Sequence, residues 1–270
     1  MKKSLALTFL LATASSVVTA NDEPEQGKLE LGLGATVLHL PDYIGSDQTR
    51  ETVWPFPYVR YIGKDWRIDR QLINRELLEN KRWRLDLNFS GSLPVNSEDN
   101  NAREGMADLM PTLEVGPWLQ LRFAEKNDSY WRTDIAIRKA IASDFTDYQN
   151  AGWVAQWQLF YRHDWQQRSN QHQAEWSFEH SLALVWGDER QHNYFYGVAP
   201  EFVTTTRDAY EANAGYSGWR YGAGITRRQG QLWTAVFLRY FDISDAEFAD
   251  SPLVRDEQNI ALGVATAWIW

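Results

Sequence analysis

The sequence predicts an all-β protein, a transmembrane antiparallel up-and-down β-barrel, and three observations lead there. Apolar and polar residues alternate with a period of two in a series of segments about ten residues long, the length that crosses a bilayer when a strand is tilted. Aromatic residues reach 14%, with 14 Trp and 12 Tyr, although the mean hydropathy is −0.50. A barrel needs both features: Trp and Tyr sit at the two membrane–water boundaries, while every second strand residue faces a polar interior. Finally, the longest weakly polar or apolar run after residue 20 is Ile260 to Trp270, well short of the roughly 17–25 residues of a membrane helix. A chain that crosses without helices has to close its backbone hydrogen bonds around a barrel.

The first twenty residues stand apart from this pattern. Lys2 and Lys3 give a positive start, Ser4 to Val18 is uncharged and largely apolar, and Val18-Thr19-Ala20 precedes the polar Asn21-Asp22-Glu23. That order is the layout of a secretory signal peptide, so residues 1–20 are expected to be cleaved and 21–270 to form a single barrel domain. Without those twenty residues, which hold two lysines and no acid, the net charge falls from −9 to −11. So acidic a chain has no electrostatic footprint for nucleic acid. Cysteine is absent, which excludes disulfides and thiolate metal sites.

The strands follow in order. Leu29 to Leu40 and Thr52 to Tyr61 come first, then a weaker candidate from Asp65 to Leu72. Trp83 to Ser90, Leu113 to Phe123, Trp131 to Arg138, Trp153 to Arg162 and Trp176 to Trp186 alternate most plainly. A second weak candidate runs from Tyr194 to Val203, and Gly218 to Arg227, Leu232 to Phe241 and Ile260 to Trp270 complete the set. The expectation is therefore about twelve strands, with ten as the alternative if both weak segments are discounted. Short polar turns such as Glu125 to Asp128 and Arg228 to Gly230 contrast with long irregular stretches at 41–51, 94–110, 187–215 and 242–258. Short turns on one side and long loops on the other suit an outer-membrane barrel of a Gram-negative cell envelope.

A soluble β-sandwich or lipocalin-like barrel also alternates, with its apolar face inward. The mid-strand charges Arg84, Asp86, Glu114, Arg122 and Arg138 favour the membrane barrel, because a polar lumen accommodates them. Aromatics also cluster near strand ends, at Trp83, Trp131, Trp153, Trp176, Trp186 and Trp270. The last eleven residues, IALGVATAWIW, look like the assembly signal read by the barrel-assembly machinery, with Leu262, Val264, Trp268 and Trp270 in the alternating positions.

Several further strings fall in a fixed order: PDYIGS at 41–46, PFPYVRY at 55–61, SLPVNSEDNNAREGM at 92–106, LEVGP at 113–117, YFYGVAPEF at 194–202, RDAYEANAGY at 207–216 and DAEFADSPLV at 245–254. With them the chain resembles the MipA/OmpV family (MltA-interacting protein) over nearly its whole length after residue 20. Their Pro and Gly residues read first as loop and barrel-shaping chemistry. The resemblance implies an outer-membrane scaffold for peptidoglycan remodelling that holds a lytic transglycosylase and a murein synthase together. A narrow channel for small solutes or ions and a surface adhesin are the rival readings.

Nothing in the sequence points to catalysis. His39, His163, His172, His180 and His192 lie in no nucleophile motif and have no metal-ligand spacing. A His163-Asp164 dyad is the one candidate pair. The acids of 97–101 with Asp242, Asp245 and Asp250 lack the fixed spacing of a calcium loop and read as solubilising groups, or as contacts to lipopolysaccharide through bridging cations. The expectation is no enzyme, no cofactor and no metal, with membrane lipid and lipopolysaccharide as the surroundings.

Overall fold

The computed structural model describes residues 28–62, 66–69, 72–79, 82–126, 128–144, 146–168 and 173–270. The expected signal peptide at 1–20 lies outside the described residues. Twelve strands follow one another: β1 (Lys28–Pro41), β2 (Thr49–Ile62), β3 (Trp66–Asp69), β4 (Leu72–Glu79), β5 (Trp83–Ser92), β6 (Thr112–Lys126), β7 (Ser129–Ser143), β8 (Tyr148–Arg168), β9 (Gln173–Gly187), β10 (Gly215–Gln229), β11 (Leu232–Asp242) and β12 (Gln258–Ile269). Each pairs antiparallel with its sequence neighbours, and β12 pairs with β1 from Gly32↔Ile269 to His39↔Leu262, which closes the barrel.

The count of twelve agrees with the sequence, but two members differ. Residues 194–203 are not a strand: Tyr194 to Tyr196 end the helix α1 (Glu189–Tyr196), and Pro200–Phe202 is a single 3-10 turn. Asp188 starts the helix by accepting a hydrogen bond from the Gln191 N–H at 2.8 Å, with Glu189 in the first turn, where the helix dipole favours an acid. The twelfth strand is instead β4, LINRELLE, whose Arg75, Glu76 and Glu79 obscure the alternation in sequence.

Register decides which face is out. Val53, Val37, Val264 and Val236 lie side by side across β2, β1, β12 and β11, and they are 67, 51, 55 and 48% exposed. Beneath the alternate positions, Asp86 and Asp134 are 2 and 1% exposed, so charge is buried while aliphatic surface is bare. This inversion of an ordinary soluble protein is what a lipid surround demands. Outward aromatics form two girdles. Trp83, Trp131, Trp165, Trp176 and Trp268 lie toward the end that carries the termini, while Trp153, Trp186 and Trp219 lie toward the other. Trp176 and Trp186 are ten residues apart on β9. At ~3.3 Å per residue that is about 33 Å along the strand. A tilt of roughly 40° reduces it to about 25 Å along the axis, the height of an outer-membrane apolar band.

The connections are asymmetric. At the terminal end β10 passes to β11 through residues 230–231, and β6 to β7 through 127–128. At the opposite end run the long connections 93–111, 188–214 and 243–257, together with 42–48. In barrels of this kind the short turns are periplasmic and the long loops external.

The ladder is interrupted at one place. β2 pairs with β1 along all fourteen residues, yet it pairs with the short β3 only at Tyr61 and Ile62. Likewise β5 pairs with β6 from Trp83 to Ser92 but with β4 only as far as Asn88. Among the described residues the edge of β2 from Thr49 to Arg60 therefore has no strand beside it. The Trp270 N–H donates to the Leu31 carbonyl at 3.0 Å, so odd-numbered residues of β1 face β12 and even-numbered ones face β2. By the same parity Pro55 and Pro57, opposite Ala35 and Leu33, turn their imino nitrogens toward the open edge. Proline is tolerated there because no ladder bond is lost.

Candidate functional site: the loop cap and the barrel interior

The four long connections fold into one body over the mouth of the barrel. Tyr43, Val95, Leu109, Tyr196, Ala212, Ile243, Ala246 and Phe248 form a single buried cluster drawn from all four. Tyr196 stacks on Phe248 with ring centroids 3.7 Å apart, and its hydroxyl donates to the Ile44 carbonyl at 2.9 Å. The Tyr43 hydroxyl donates to the Leu253 carbonyl at 2.6 Å. The Asn100 amide donates to Asp42 Oδ2 at 2.9 Å and to Ser46 Oγ at 3.0 Å, tying 93–111 to 42–48. Arg103 reaches the Phe195 carbonyl at 3.1 Å, and Arg207 reaches the Ala102 carbonyl at 2.9 Å. The connections 42–48, 93–111 and 188–214 are rooted four strands apart around the wall, so these bonds cross the opening. Gly45, at φ +101°, takes a conformation that a side chain would strain, and its N–H donates to Asn259 Oδ1 at 2.5 Å.

The strings noted in sequence are largely the material of this cap. PDYIGS supplies Tyr43, Gly45 and Ser46. The stretch 92–106 supplies Val95, Asn100 and Arg103. YFYGVAPEF supplies Tyr196 and Val198, and DAEFADSPLV supplies Phe248 and Leu253. Burial sets protonation here. It pushes the Tyr43 hydroxyl up to about 12, Tyr194 likewise to about 12, and Tyr196 further still, so all three stay hydrogen-bond donors. Burial also lowers the Arg103 guanidinium below its usual value. His192 is fully enclosed, with Nδ1 2.6 Å from the Asn213 carbonyl and Nε2 2.7 Å from Ser217 Oγ. Nδ1–H donates to the carbonyl, Nε2 accepts from the hydroxyl, and burial holds the ring neutral by lowering its pKa.

Inside the wall, four of the five charges singled out in sequence come together as pairs. Arg84 Nε stands 3.2 Å from Asp86 Oδ2, whose carboxylate also accepts from Gln120 at 2.8 Å. Arg138 Nε stands 2.9 Å from Glu114 Oε2. Arg122 differs: it is exposed near the β6–β7 turn, with its guanidinium 4.8 Å from the Tyr130 ring centre. Sequence reasoning passed over more pairs on the same inner face. Arg132 meets Asp134 at 3.0 Å, Arg162 meets Asp164 at 2.9 Å, and Glu30 accepts from both Arg60 at 3.1 Å and Arg228 at 2.9 Å. Their signal was present, since each lies on the polar phase of its own strand. Leu262, Val264, Trp268 and Trp270 all point outward and are 42 to 68% exposed.

The histidines do not converge. His39 and Glu51 are an exposed pair at 3.9 Å on the outside, and His172 lies outside the described residues. His180 faces outward among Trp131, Tyr161 and Phe178. His163 stacks on Trp165 outside, while Asp164 turns inward to Arg162, so neighbouring positions of β8 send the candidate dyad to opposite faces. Among the described residues no group of three or more His, Asp or Glu is placed to hold a metal.

A closed twelve-stranded wall with an aliphatic exterior, two aromatic girdles, charged pairs within and long loops at one end defines an outer-membrane β-barrel. Within that class the chain belongs to the family of MltA-interacting protein MipA, whose model matches residues 33–270. No curated protein matches the chain. Among solved structures it is similar to the outer membrane protease OmpT from Escherichia coli, at 9% identity and a TM-score of 0.28, covering 93% of this chain and 98% of that one. It is also similar to a Pseudomonas aeruginosa FadL homologue, at 7% identity and a TM-score of 0.27, covering 90% of each chain. The Pseudomonas putida toluene transporter TodX is a third, at 11% identity and a TM-score of 0.25, covering 91% of this chain and 68% of that one.

Proposed function

We propose that this barrel is a non-catalytic scaffold that holds peptidoglycan-remodelling enzymes, a lytic transglycosylase and a murein synthase, at the periplasmic face of the outer membrane. The observation that carries the reading is closure. A cap with its own core spans the external mouth, and opposed charges line the interior below it: Glu114–Arg138 and Glu30 with Arg60 and Arg228 join different strands, while Arg84–Asp86, Arg132–Asp134 and Arg162–Asp164 pair along one strand each. Opposite charges attract more strongly inside a wall than on an open surface, because the effective dielectric is lower. Such an interior suits a rigid support. The family's name adds a partner that acts on murein.

Partners of this kind live in the periplasm, so their contacts belong on the short turns at the terminal end. The β6–β7 turn offers exposed Glu125, Lys126 and Asp128, with Arg122 close by. A Glu125→Lys/Lys126→Glu double variant is expected to reduce co-purification of the murein enzymes severalfold. Asp208→Lys, on the exposed external side, is expected to leave it unchanged. Loss with the external variant and none with the turn variant would overturn the sidedness of the scaffold.

A further inference from the structure

We infer that the unpaired edge of β2 frames a side window in the barrel wall, and that this window takes an aminolipid from the bilayer, an acyl chain with a cationic, hydrogen-bond-donating head. The opening has limits above and below. Above, Arg50 Nη1 donates to the Pro94 carbonyl at 2.8 Å and Gln48 Nε2 donates to the Asp99 carbonyl at 3.1 Å, which ties the start of β2 to the connection after β5. Below, β3 pairs with β2 only at Tyr61 and Ile62. Between these levels, among the described residues, no strand pairs with β2 on this side. The cap covers the external mouth, and Tyr58, Trp233, Ala267 and Ile269 pack together inside toward the terminal end. What lies against the opening is therefore lipid, since outward Val53 belongs to the exposed row of valines.

The chemistry of the edge selects the head. Even-numbered residues of β1 face β2 and pair with its even-numbered residues, so the odd-numbered residues of β2 turn their N–H and carbonyl groups to the opening. Pro55 and Pro57 have no N–H to offer, and the middle of the edge accepts hydrogen bonds without donating any. A strand both donates and accepts along its ladder, so the prolines turn away another chain, a second copy of this one included. Carbonyls at membrane depth still require donors. Exposed Glu51 at the upper end adds a negative charge, with exposed His39 beside it at 3.9 Å. A primary ammonium supplies donors and a positive charge and brings no acceptor.

Behind the edge the interior is apolar. Between Arg50 and Arg60 the inner phase of β2 carries Thr52, Trp54, Phe56 and Tyr58. Its direction is fixed by Arg60, which donates to buried Glu30 at 3.1 Å, and by Tyr58, whose ring centre lies 5.5 Å from that of inward Trp233. On the adjoining inner faces of β1 beyond Glu30, and of β12, no residue is charged. Hydrocarbon that enters here meets aromatic and small aliphatic side chains, whose burial is favourable. Trp54 marks the access: it is 46% exposed although it lies on the inner phase, whereas Trp233 is 7% exposed. An acyl chain running down from Glu51 past Trp54 to Phe56 keeps its head at the external boundary and its tail against the Tyr58 cluster.

Lysophosphatidylethanolamine with a diazirine in its chain, mixed into phosphatidylcholine vesicles that hold the folded full chain, tests this. Lysophosphatidylcholine with the same chain is the second probe. After irradiation, cross-links are mapped by mass spectrometry, and inner-phase labelling is divided by that of outward Leu182. The ethanolamine lipid is expected to label Trp54, Thr36 and Leu38 saturably, and the choline lipid about fivefold less, because choline has no N–H to donate. Glu51→Gln should narrow that difference. Trp54→Gln should reduce the labelling of Thr36 and Leu38 severalfold with both lipids. Thr36→Gln, which sets an amide opposite Trp54 and leaves the ring in place, should reduce inner labelling as well. Heat-modifiable gel mobility identifies the folded fraction of each variant. Cross-links confined to outward residues, equal inner labelling by the two lipids, or inner labelling unchanged in folded Trp54→Gln and Thr36→Gln would overturn the site. A dimer by light scattering together with unlabelled inner residues would place a second copy at the edge and overturn it too.

Discussion

His192 shows how much one side chain contributes to the cap. Its ring is neutral, enclosed and bonded on both nitrogens. A proton on Nε2 would remove the acceptor for Ser217 and leave a charge in an apolar cluster beside Phe248. Because the folded pKa lies below the ordinary value of ~6.5, the unfolded chain binds the proton more readily. Stability from this residue is therefore complete above about 6.5 and declines as the pH falls below it. Proteolysis of the 188–214 connection is expected to accelerate on acidification through that window, and a His192→Gln variant should flatten the dependence. An unchanged cleavage rate from pH 7.5 to 5 would show that the histidine does not support the cap. On the outer face, Val236→Arg places a cation beside exposed Val264, Val37 and Val53 and should cost about 2–4 kcal/mol near mid-membrane. Denaturant titration in lipid vesicles checks it, and a cost near zero would mean that this row does not meet lipid.

Strands differ in how far the chain announces them. β9 and β12 alternate cleanly because one neighbour is lipid and the other a polar interior, and that contrast is written residue by residue. β4 is hidden because charges fall on three of its eight positions. Residues 194–196 deceived for the opposite reason. Tyr194, Phe195 and Tyr196 have strand propensity, but Asp188 caps a helix upstream and the rings are needed within the cap. The four loops were legible as long and irregular. Their mutual packing was not, because contacts between residues 43, 100, 196 and 248 leave no periodic trace. Pro55 and Pro57 read in sequence as loop or strand-end residues, whereas they lie in the middle of β2 with their nitrogens toward its unpaired edge. Pro55→Ala breaks no ladder bond, but its recovered N–H meets no strand among the described residues, so a partial loss of folded yield is expected. Val37→Pro, in a strand paired on both sides, removes a bond within the membrane and should abolish folding, as each unmet polar group there costs several kcal/mol. Comparable gel-shift yields for the two variants would contradict the assigned edge.

The whole molecule joins a lipid-facing wall, a charge-linked interior and a folded external lid. Gly116 illustrates how tightly these levels are coupled. A Cβ there would come within 2.0 Å of the Ile137 carbonyl, at the point where the β6–β7 ladder skips Gly116 and Pro117. Removing that side chain lets the strands approach where Arg138 crosses to Glu114. In sequence the barrel and the polar phase of its strands were readable from a period of two, while the count of twelve agrees only because the unforeseen β4 replaces residues 194–203. The lid was not readable, because it depends on which connections meet across the opening. The central claim is that this assembly is closed and acts as a support. Its most direct test is the current through the folded full chain in planar bilayers. The account predicts no steady conductance, with the Arg138–Glu114 and Arg84–Asp86 links and the cap in place. A stable, ion-selective conductance that changes with Arg138→Gln would contradict it.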